Sequence, residues 1–296
     1  MSQNVTEVAL QIIRNRRRDA ERKYEDKIST LEKDKNYQKT QKHYTSLVIE
    51  NARKEAYGEK VDKTEENTTF KILNSLKAKY GLENTKIEYF CPDCRDTGYV
   101  NGKQCKCLKS EISKLLLENS GFAKLEDFDE GMKTCGPLLL PVYQKMREWC
   151  NSNSSKNLIY FAGPTGVGKT YLIRCMANEL IKNGKVINIV TSLNLSLDFR
   201  TFSKTSDEEL LKKYITPEVL FIDDLGTEPI FKNVTIEYLY LIINERKMRN
   251  KKTVITSNLD LGDIRERYDE RIYSRIVDRD TSLTIFLNGD DKRLKK

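Results

Sequence analysis

The residues with the clearest chemical signature lie in the stretch FAGPTGVGKT, residues 161–170. It fits the pattern G-x-x-x-x-G-K-[ST], in which a glycine-rich turn leads into Lys169 and Thr170. Glycines let backbone N–H groups turn inward onto phosphates at the positive end of the following helix. Lys169 is expected to reach the outer phosphates and Thr170 a magnesium ion. The predicted nucleoside triphosphate site comprises Gly163, Pro164, Thr165, Gly166, Val167, Gly168, Lys169 and Thr170.

Polar residues at the ends of two further apolar runs would complete this site. VLFIDD (219–224) ends in Asp223, expected to hold magnesium through water, and Asp224, expected to orient the attacking water. TVITSN (253–258) ends in Asn258, which is placed to contact the γ-phosphate or that water. These residue types predict hydrolysis of the bound nucleotide.

The segment YDERIYSRIVDRD (268–280) carries Arg271 and Arg275 four residues apart, on one face of a predicted helix. An arginine inserted into a neighbouring subunit's site stabilises a transferring phosphoryl group. Two helical arginines on their own are more often partners in surface salt bridges. The motif order favours the first interpretation.

A cysteine array precedes these motifs. CPDCRDTGYVNGKQCKC places Cys91, Cys94, Cys105 and Cys107 in a C-x2-C-x10-C-x-C spacing. Two close pairs of thiolates can surround a zinc ion tetrahedrally, and four protein ligands leave no open position for catalysis. An iron–sulfur cluster is the alternative. The array predicts a structural zinc element, whereas Cys135, Cys150 and Cys175 are expected to be buried small residues.

Five apolar runs alternate with helical segments from about residue 120 onward, which predicts a three-layer α/β domain. The runs are NLIYFAG (157–163), KVINIV (185–190), VLFIDD (219–224), TVITSN (253–258) and SLTIFLN (282–288).

Residues 1 to about 80 are rich in charge, and their apolar residues recur at helical spacing, as Tyr24, Ile28 and Leu31 do. The region predicts a helical module that binds a partner, or equally a solvated coiled-coil-like appendage. The only histidine, His43, is expected on its surface.

The whole chain has 296 residues and a net charge of +8, which supports a polyanionic partner only weakly. It contains no apolar run of the eighteen or more residues that a membrane span needs, and the N-terminus lacks the apolar core of a secretory signal. We therefore expect a cytoplasmic protein that does not bind a membrane.

The ordered motifs FAGPTGVGKT, VLFIDDLGTEP, VITSNLDL and ERIYSRI resemble those of the AAA+ ATPases of the DnaC/DnaI helicase-loader group, and IstB-type transposition ATPases share them. CPDCRDTGY followed by CKCLK resembles the zinc element of loaders of Gram-positive type. The resemblance implies ATP, Mg²⁺ and Zn²⁺ as cofactors. It also implies Asp223 as the Walker B residue, Asn258 as sensor 1, and Arg275 as the arginine finger, with Arg271 as second choice.

This resemblance predicts three regions: a helical helicase-binding module (1–80), a zinc-binding element with linker (81–119) and an AAA+ P-loop domain with a five-stranded, mostly parallel sheet (120–296). In the family, an extra helix before Walker B helps to line a channel for single-stranded DNA, and residues 192–202 fall at that place. The DNA contacts implied here are Phe199, Arg200, Phe202 and Lys204. An ordinary packed amphipathic helix is the alternative.

The function implied is ATP-dependent delivery of the hexameric replicative helicase onto single-stranded DNA, with self-association in ATP. Asp223-Asp224 replaces the Asp-Glu common in AAA+ proteins, which favours a slow switch. Only a few residues follow the last predicted strand, so we expect no full helical lid after the core, and Arg293 is a candidate for sensor 2. The alternatives are an IstB-type ATPase that recruits a transposase and a nucleotide-dependent adaptor with negligible hydrolysis.

Overall fold

The structure is a computed structural model that describes residues 5–83, 86–118, 120–122, 124–152, 154–289 and 291. The chain forms two compact units. One comprises Leu10–Gly98, and the other is built from Tyr99 onward together with the start of the chain up to Ala9. The region borders at 80 and 119 stay a prediction.

Helices α1 (Val5–Glu32), α2 (Lys35–Ala56) and α3 (Thr64–Lys79) account for most of the smaller unit. Asp34 caps α2 by accepting a hydrogen bond of 2.7 Å from the N–H of Asn36. A small core contains four buried side chains, Leu31, Tyr37, Leu73 and Leu82, with Tyr24, Ile28, Tyr44, Leu76 and Tyr80 packed against them. The helical spacing read from the sequence is therefore confirmed, and His43 is exposed beside Glu65.

The larger unit contains five strands that form one sheet: β3 (Leu158–Ala162), β4 (Ile187–Thr191), β5 (Val219–Leu225), β6 (Lys252–Ser257) and β7 (Ser282–Phe286). Their order in the sheet is β4-β5-β6-β3-β7, and every pair of neighbours is parallel. All five predicted strands are confirmed. Before the sheet, β1 (Tyr99–Val100) and β2 (Lys103–Gln104) form an antiparallel hairpin.

Helices cover both faces of this sheet. They are α4 (Lys106–Glu118), α5 (Phe128–Thr134), α6 (Leu140–Asn151), α7 (Lys169–Lys182), α8 (Ser192–Thr205), α9 (Glu208–Ile215), α10 (Thr235–Met248), α11 (Leu261–Tyr268) and α12 (Glu270–Ile276). Successive side chains of a strand point to opposite faces. Ile159 and Phe161 accordingly join the core under α6 and α7, whereas Tyr160 and Ala162 join the core under α8 and α10. The predicted three-layer architecture is confirmed.

The strand order decides where the predicted site residues meet. β3 lies between β6 and β7, and β6 also pairs with β5. Because the strands are parallel, the segments after β3, β5, β6 and β7 all leave the sheet at the same edge. In the described part of the chain, no helix is long and apolar enough to cross a membrane.

Candidate functional site

The phosphate loop connects β3 to α7, and its glycines adopt conformations that other residues rarely take. Gly163 has φ +151° and Gly168 has φ +102°. A Cβ at Gly163 would lie 2.2 Å from the carbonyl oxygen of Leu287, so a side chain has no room there. Gly163 is therefore required by the turn and by its packing against the segment after β7, and Gly168 by its backbone conformation.

Lys169 is the first residue of α7, and it is 95% buried at the centre of the loop. Its Nζ donates hydrogen bonds to the carbonyl oxygens of Gly163 (2.7 Å) and Pro164 (2.8 Å). It donates a third, of 2.6 Å, to Oδ1 of Asn258 just after β6. The structure thus brings together Lys169 and Asn258, 89 residues apart in the sequence.

Thr170 lies against the end of β5. Its Oγ1 donates to the Asp223 carboxylate, at 3.0 Å from Oδ2 and 3.2 Å from Oδ1. Thr256 of β6 donates to Oδ1 of Asp223 at 2.6 Å. Burial raises the pKa of Asp223, and the charge of Asp224 adds to this rise. A hydroxyl and a carboxylate at this distance suit Mg²⁺, a hard cation that prefers oxygen ligands, so Thr170 and Asp223 fit their predicted magnesium role.

Asp224 occupies an irregular point of β5. The pairing with β6 shifts register between Ile222 and Leu225, and Asp224 has φ +56°. Its backbone N–H donates to Oγ1 of Thr256 at 2.9 Å. Thr256 therefore orients both aspartates, although its place near the end of a predicted strand does not by itself indicate this role.

The end of the last predicted strand and the residues after it lie beside the phosphate loop, a contact that the sequence did not predict. The N–H of Leu287 donates to the carbonyl oxygen of Ala162 at 2.7 Å, which continues the β3–β7 pairing. Farther on, Asp291 lies so close to Gly166 that a Cβ there would be 2.0 Å from Oδ1 of Asp291. The sensor 2 candidate Arg293 lies outside the described residues.

Arg271 and Arg275 share one face of α12, as the spacing predicted, and both lie over the ring of Tyr240 on α10. Arg271 is exposed and forms ion pairs with Glu237 (3.0 Å) and Asp269 (2.9 Å). Arg275 is half-buried and donates to Oδ1 of Asn244 at 3.1 Å. The arginines therefore differ in their partners, which are charged for Arg271 and neutral for Arg275.

One of the four predicted DNA contacts is wrong. Phe199 is 1% exposed, because α8 packs this side chain against Tyr238 of α10 and the core behind it. Phe202 is half-buried and meets the Tyr238 ring edge-on. Arg200 and Lys204 are exposed, and the Arg200 guanidinium lies 4.9 Å from the centre of the Phe231 ring. The C-terminal half of α8 thus exposes two cations, and an aromatic ring on the loop before α10 lies beside one of them.

The cysteines of the array come together as their spacing predicted. The sulfur atoms of Cys91, Cys94, Cys105 and Cys107 all lie within 4.8 Å of one another. The buried Asp96 carboxylate accepts hydrogen bonds from the N–H groups of Phe90 (2.8 Å) and Cys91 (2.9 Å), which fixes the first turn. Four converging sulfurs fit a tetrahedral zinc ion. Cys135, Cys150 and Cys175 are buried, as expected.

Residues 142–296, just over half of the chain, match the family model for the IstB-like ATP binding protein. The chain belongs to the IstB-like ATP-binding protein family. This assignment confirms the resemblance seen in the motifs, and ATP binding agrees with the phosphate loop and the Asp223 site.

Individual relatives show the extent of the similarity. The Buchnera aphidicola (subsp. Baizongia pistaciae) replicative helicase loader DnaC is 30% identical over 151 residues, 49% of this chain and 60% of that protein. The Escherichia coli K12 protein of the same name is 30% identical over 138 residues, 45% of this chain and 55% of its own length. A solved DnaC helicase loader structure is 22% identical, with a TM-score of 0.47 over 52% of this chain and 92% of that one. This IstB-like chain therefore matches only about 60% or less of the length of these two curated relatives.

Proposed function

We propose that the protein is a cytoplasmic, ATP-dependent loader that delivers a hexameric replicative DNA helicase onto single-stranded DNA. The observation that carries this proposal is the match between the ATPase region and proteins named replicative helicase loader. The cysteine array before the ATPase region and the helical N-terminal region agree with it. Both features also belong to the loader group that the motifs resemble.

ATP acts as an assembly switch in this proposal. The phosphates take over the Lys169 and Asn258 contacts, and magnesium takes a place beside Thr170 and Asp223. Asp224 orients the attacking water. Arg275 reaches the site of a neighbouring subunit. Its bonds to the neutral Asn244 and Tyr240 are weaker than the two ion pairs that hold Arg271, so Arg275 is released from its own subunit more easily.

The smaller unit supplies the surface for the helicase. Its helices α2 and α3 expose Ile49, Phe70 and Ile72, each about half accessible to solvent, beside a core of only a few side chains. Exposed apolar residues on small helical units favour partner binding. The cysteine cluster holds a structural Zn²⁺ ion that stabilises the local turn.

Single-stranded DNA binds along the outer face of α8. Arg200 and Lys204 provide charge for the phosphates, and the half-buried Phe202 lies beside them. Cations next to aromatic rings suit bases that stack without sequence preference. The buried Phe199 takes no part. Loss of both charges in Arg200→Ala/Lys204→Ala is expected to weaken binding of an oligo(dT) probe about tenfold or more and to reduce its salt dependence.

A transposition ATPase is the second candidate, because the matched family model carries the IstB description. The two functions differ in the partner, since one recruits a helicase and the other a transposase. A strand-displacement assay decides between them: it measures unwinding of a forked substrate by the replicative helicase on DNA coated with single-strand-binding protein. Stimulation that needs ATP and Lys169 supports the loader, and ATP-dependent filaments on DNA without stimulation contradict it.

A further inference from the structure

A buried carboxylate outside the predicted site connects the end of β5 to α11. Glu228, five residues after Asp223, is 3% exposed. Its Oε2 accepts a hydrogen bond of 2.8 Å from the N–H of Gly226, and its Oε1 accepts one from the hydroxyl of Tyr268. Its own carbonyl oxygen accepts from Nη2 of Arg267 at 2.6 Å. A single residue therefore contacts both segments through three hydrogen bonds.

The first of these segments is the turn that holds Asp224. The carbonyl oxygen of Asp224 accepts hydrogen bonds from the N–H (3.3 Å) and the Oγ1 (2.9 Å) of Thr227. Gly226 has φ +111°, and a Cβ there would lie 2.7 Å from Cδ1 of Leu259. The bond from Gly226 to Glu228 closes this turn from the inside, so Glu228 helps to set the left-handed conformation of Asp224.

The second segment leads into the helix that carries the arginines. Tyr268 is the last residue of α11, and Asp269 has φ +91° and caps α12. The Asp269 carboxylate accepts from the N–H groups of Arg271 (2.9 Å) and Ile272 (3.2 Å). The position of the Tyr268 hydroxyl therefore constrains the start of α12.

We propose that Glu228 is a positioning residue that joins the Asp224 turn to α12, so that nucleotide in a subunit's own site changes the placement of the arginines it offers to its neighbour. The roles of Asp224, Arg271 and Arg275 in this inference rest on the proposed function. A buried pair with a charged member gains little stability over an apolar pair of the same shape. Stability alone therefore does not explain why a carboxylate is buried here, whereas coupling of two functional segments does.

Hydrogen–deuterium exchange of residues 261–276 tests the coupling without reference to a helicase. The protein is kept monomeric by dilution and measured with and without Mg²⁺ and a non-hydrolysable ATP analogue. The variants are Tyr268→Phe, which removes one hydroxyl, and Glu228→Gln. Tyr214→Phe is the matched control, because its buried hydroxyl also donates to a carboxylate, that of Asp198, away from α11 and α12.

In wild type and Tyr214→Phe, nucleotide is expected to slow exchange in 261–276 by about threefold or more. Tyr268→Phe and Glu228→Gln are expected to lose this response while their affinity for the analogue stays within about threefold of wild type. An unresponsive wild type, or a full response in both variants, overturns the proposal. If Tyr268→Phe does not fold, the exchange response of Glu228→Gln alone decides whether the proposal holds.

Steady-state kinetics distinguish a positioning role from a purely structural one, because a structural role would not lower kcat while leaving KM nearly unchanged. In assembled protein, kcat of Tyr268→Phe is expected to fall about tenfold with KM within about threefold of wild type. An unchanged kcat together with a lost exchange response overturns the positioning role. If the exchange and kcat results are as expected but the protein does not load the helicase, the proposed function is contradicted and the coupling through Glu228 still holds.

Discussion

Nζ of Lys169 lies 2.6 Å from Oδ1 of Asn258, so the residue after β6 is bonded directly to the phosphate loop after β3. Two further bonds of this ammonium group go to loop carbonyls. Phosphate oxygens are stronger acceptors for a lysine than neutral amide and carbonyl oxygens. Binding of the nucleotide is therefore expected to transfer Lys169 to the phosphates and to release Asn258 for the γ-phosphate.

Replacement of Lys169 by Ala removes this cation from the centre of the site. We expect ATP affinity to fall about 100-fold, because a buried charge-assisted contact contributes about 2–3 kcal/mol. Titration with a fluorescent ATP analogue measures the loss. Lys182→Ala on the same helix, whose ammonium group pairs with Asp127, is the control and should bind as wild type. Equal affinities of the two variants for the ATP analogue would show that Lys169 does not bind the nucleotide.

Asp223→Asn is expected to raise the stability of the fold and to abolish hydrolysis. Burial raises the pKa of Asp223, so its ionised form is costly in the folded state above that pKa, and the cost falls as the pH falls. The neutral amide avoids it, and we expect stabilisation of about 1 kcal/mol at pH 7.5, with the gain shrinking as the pH falls toward the pKa of Asp223. Magnesium-dependent hydrolysis should be lost. Thermal unfolding across a pH series, alongside a phosphate-release assay, checks this; a less stable variant at pH 7.5 contradicts it.

Arg275→Ala is expected to leave nucleotide affinity within about twofold but to reduce hydrolysis in the assembled state about 100-fold or more, as loss of an arginine finger does. Arg271→Ala should have a smaller effect, since its ion pairs keep it on its own subunit. Mixing decides the direction of action: Asp223→Asn subunits, inactive themselves, should restore hydrolysis to Arg275→Ala subunits at saturating nucleotide. Absence of rescue in mixtures that do assemble would show that Arg275 does not act between subunits.

The cysteine cluster should contain one zinc ion per chain, measured by elemental analysis of purified protein. Cys94→Ser removes a buried ligand, and we expect it to lose the ion and about 5 °C or more of thermal stability. Cys135→Ser, a buried cysteine outside the cluster, is the control and should keep the metal. Iron and sulfide in place of zinc would support the iron–sulfur alternative, and a metal-free wild type would contradict both.

The strands and the main site residues could be predicted because each depends on local sequence. A short apolar run ending in Asp223, or in Asn258, specifies both a buried strand and a polar tip. Parallel pairing then brings the tips together without further information. The contact between Lys169 and Asn258 follows from that geometry alone.

Residues whose role depends on packing between distant elements could not be predicted. Phe199 has the composition of a DNA contact, and only the packing of α8 on α10 shows that it is buried. Arg246 is fully buried and donates to backbone carbonyls such as those of Tyr214 and Pro217. Burial lowers its pKa to about 9. Glu228 was overlooked for the same reason, because its partner Tyr268 lies 40 residues away.

Native mass spectrometry of the protein mixed with its host's replicative helicase tests the central claim most directly. It is run with and without ATP, with Lys169→Ala as the control and with a variant lacking residues 1–80. The account predicts several copies on a helicase hexamer in the presence of ATP, and no complex when residues 1–80 are absent. Failure to bind the helicase under every condition, with ATP-dependent oligomers forming on DNA instead, would contradict the loader and favour a transposition-type ATPase.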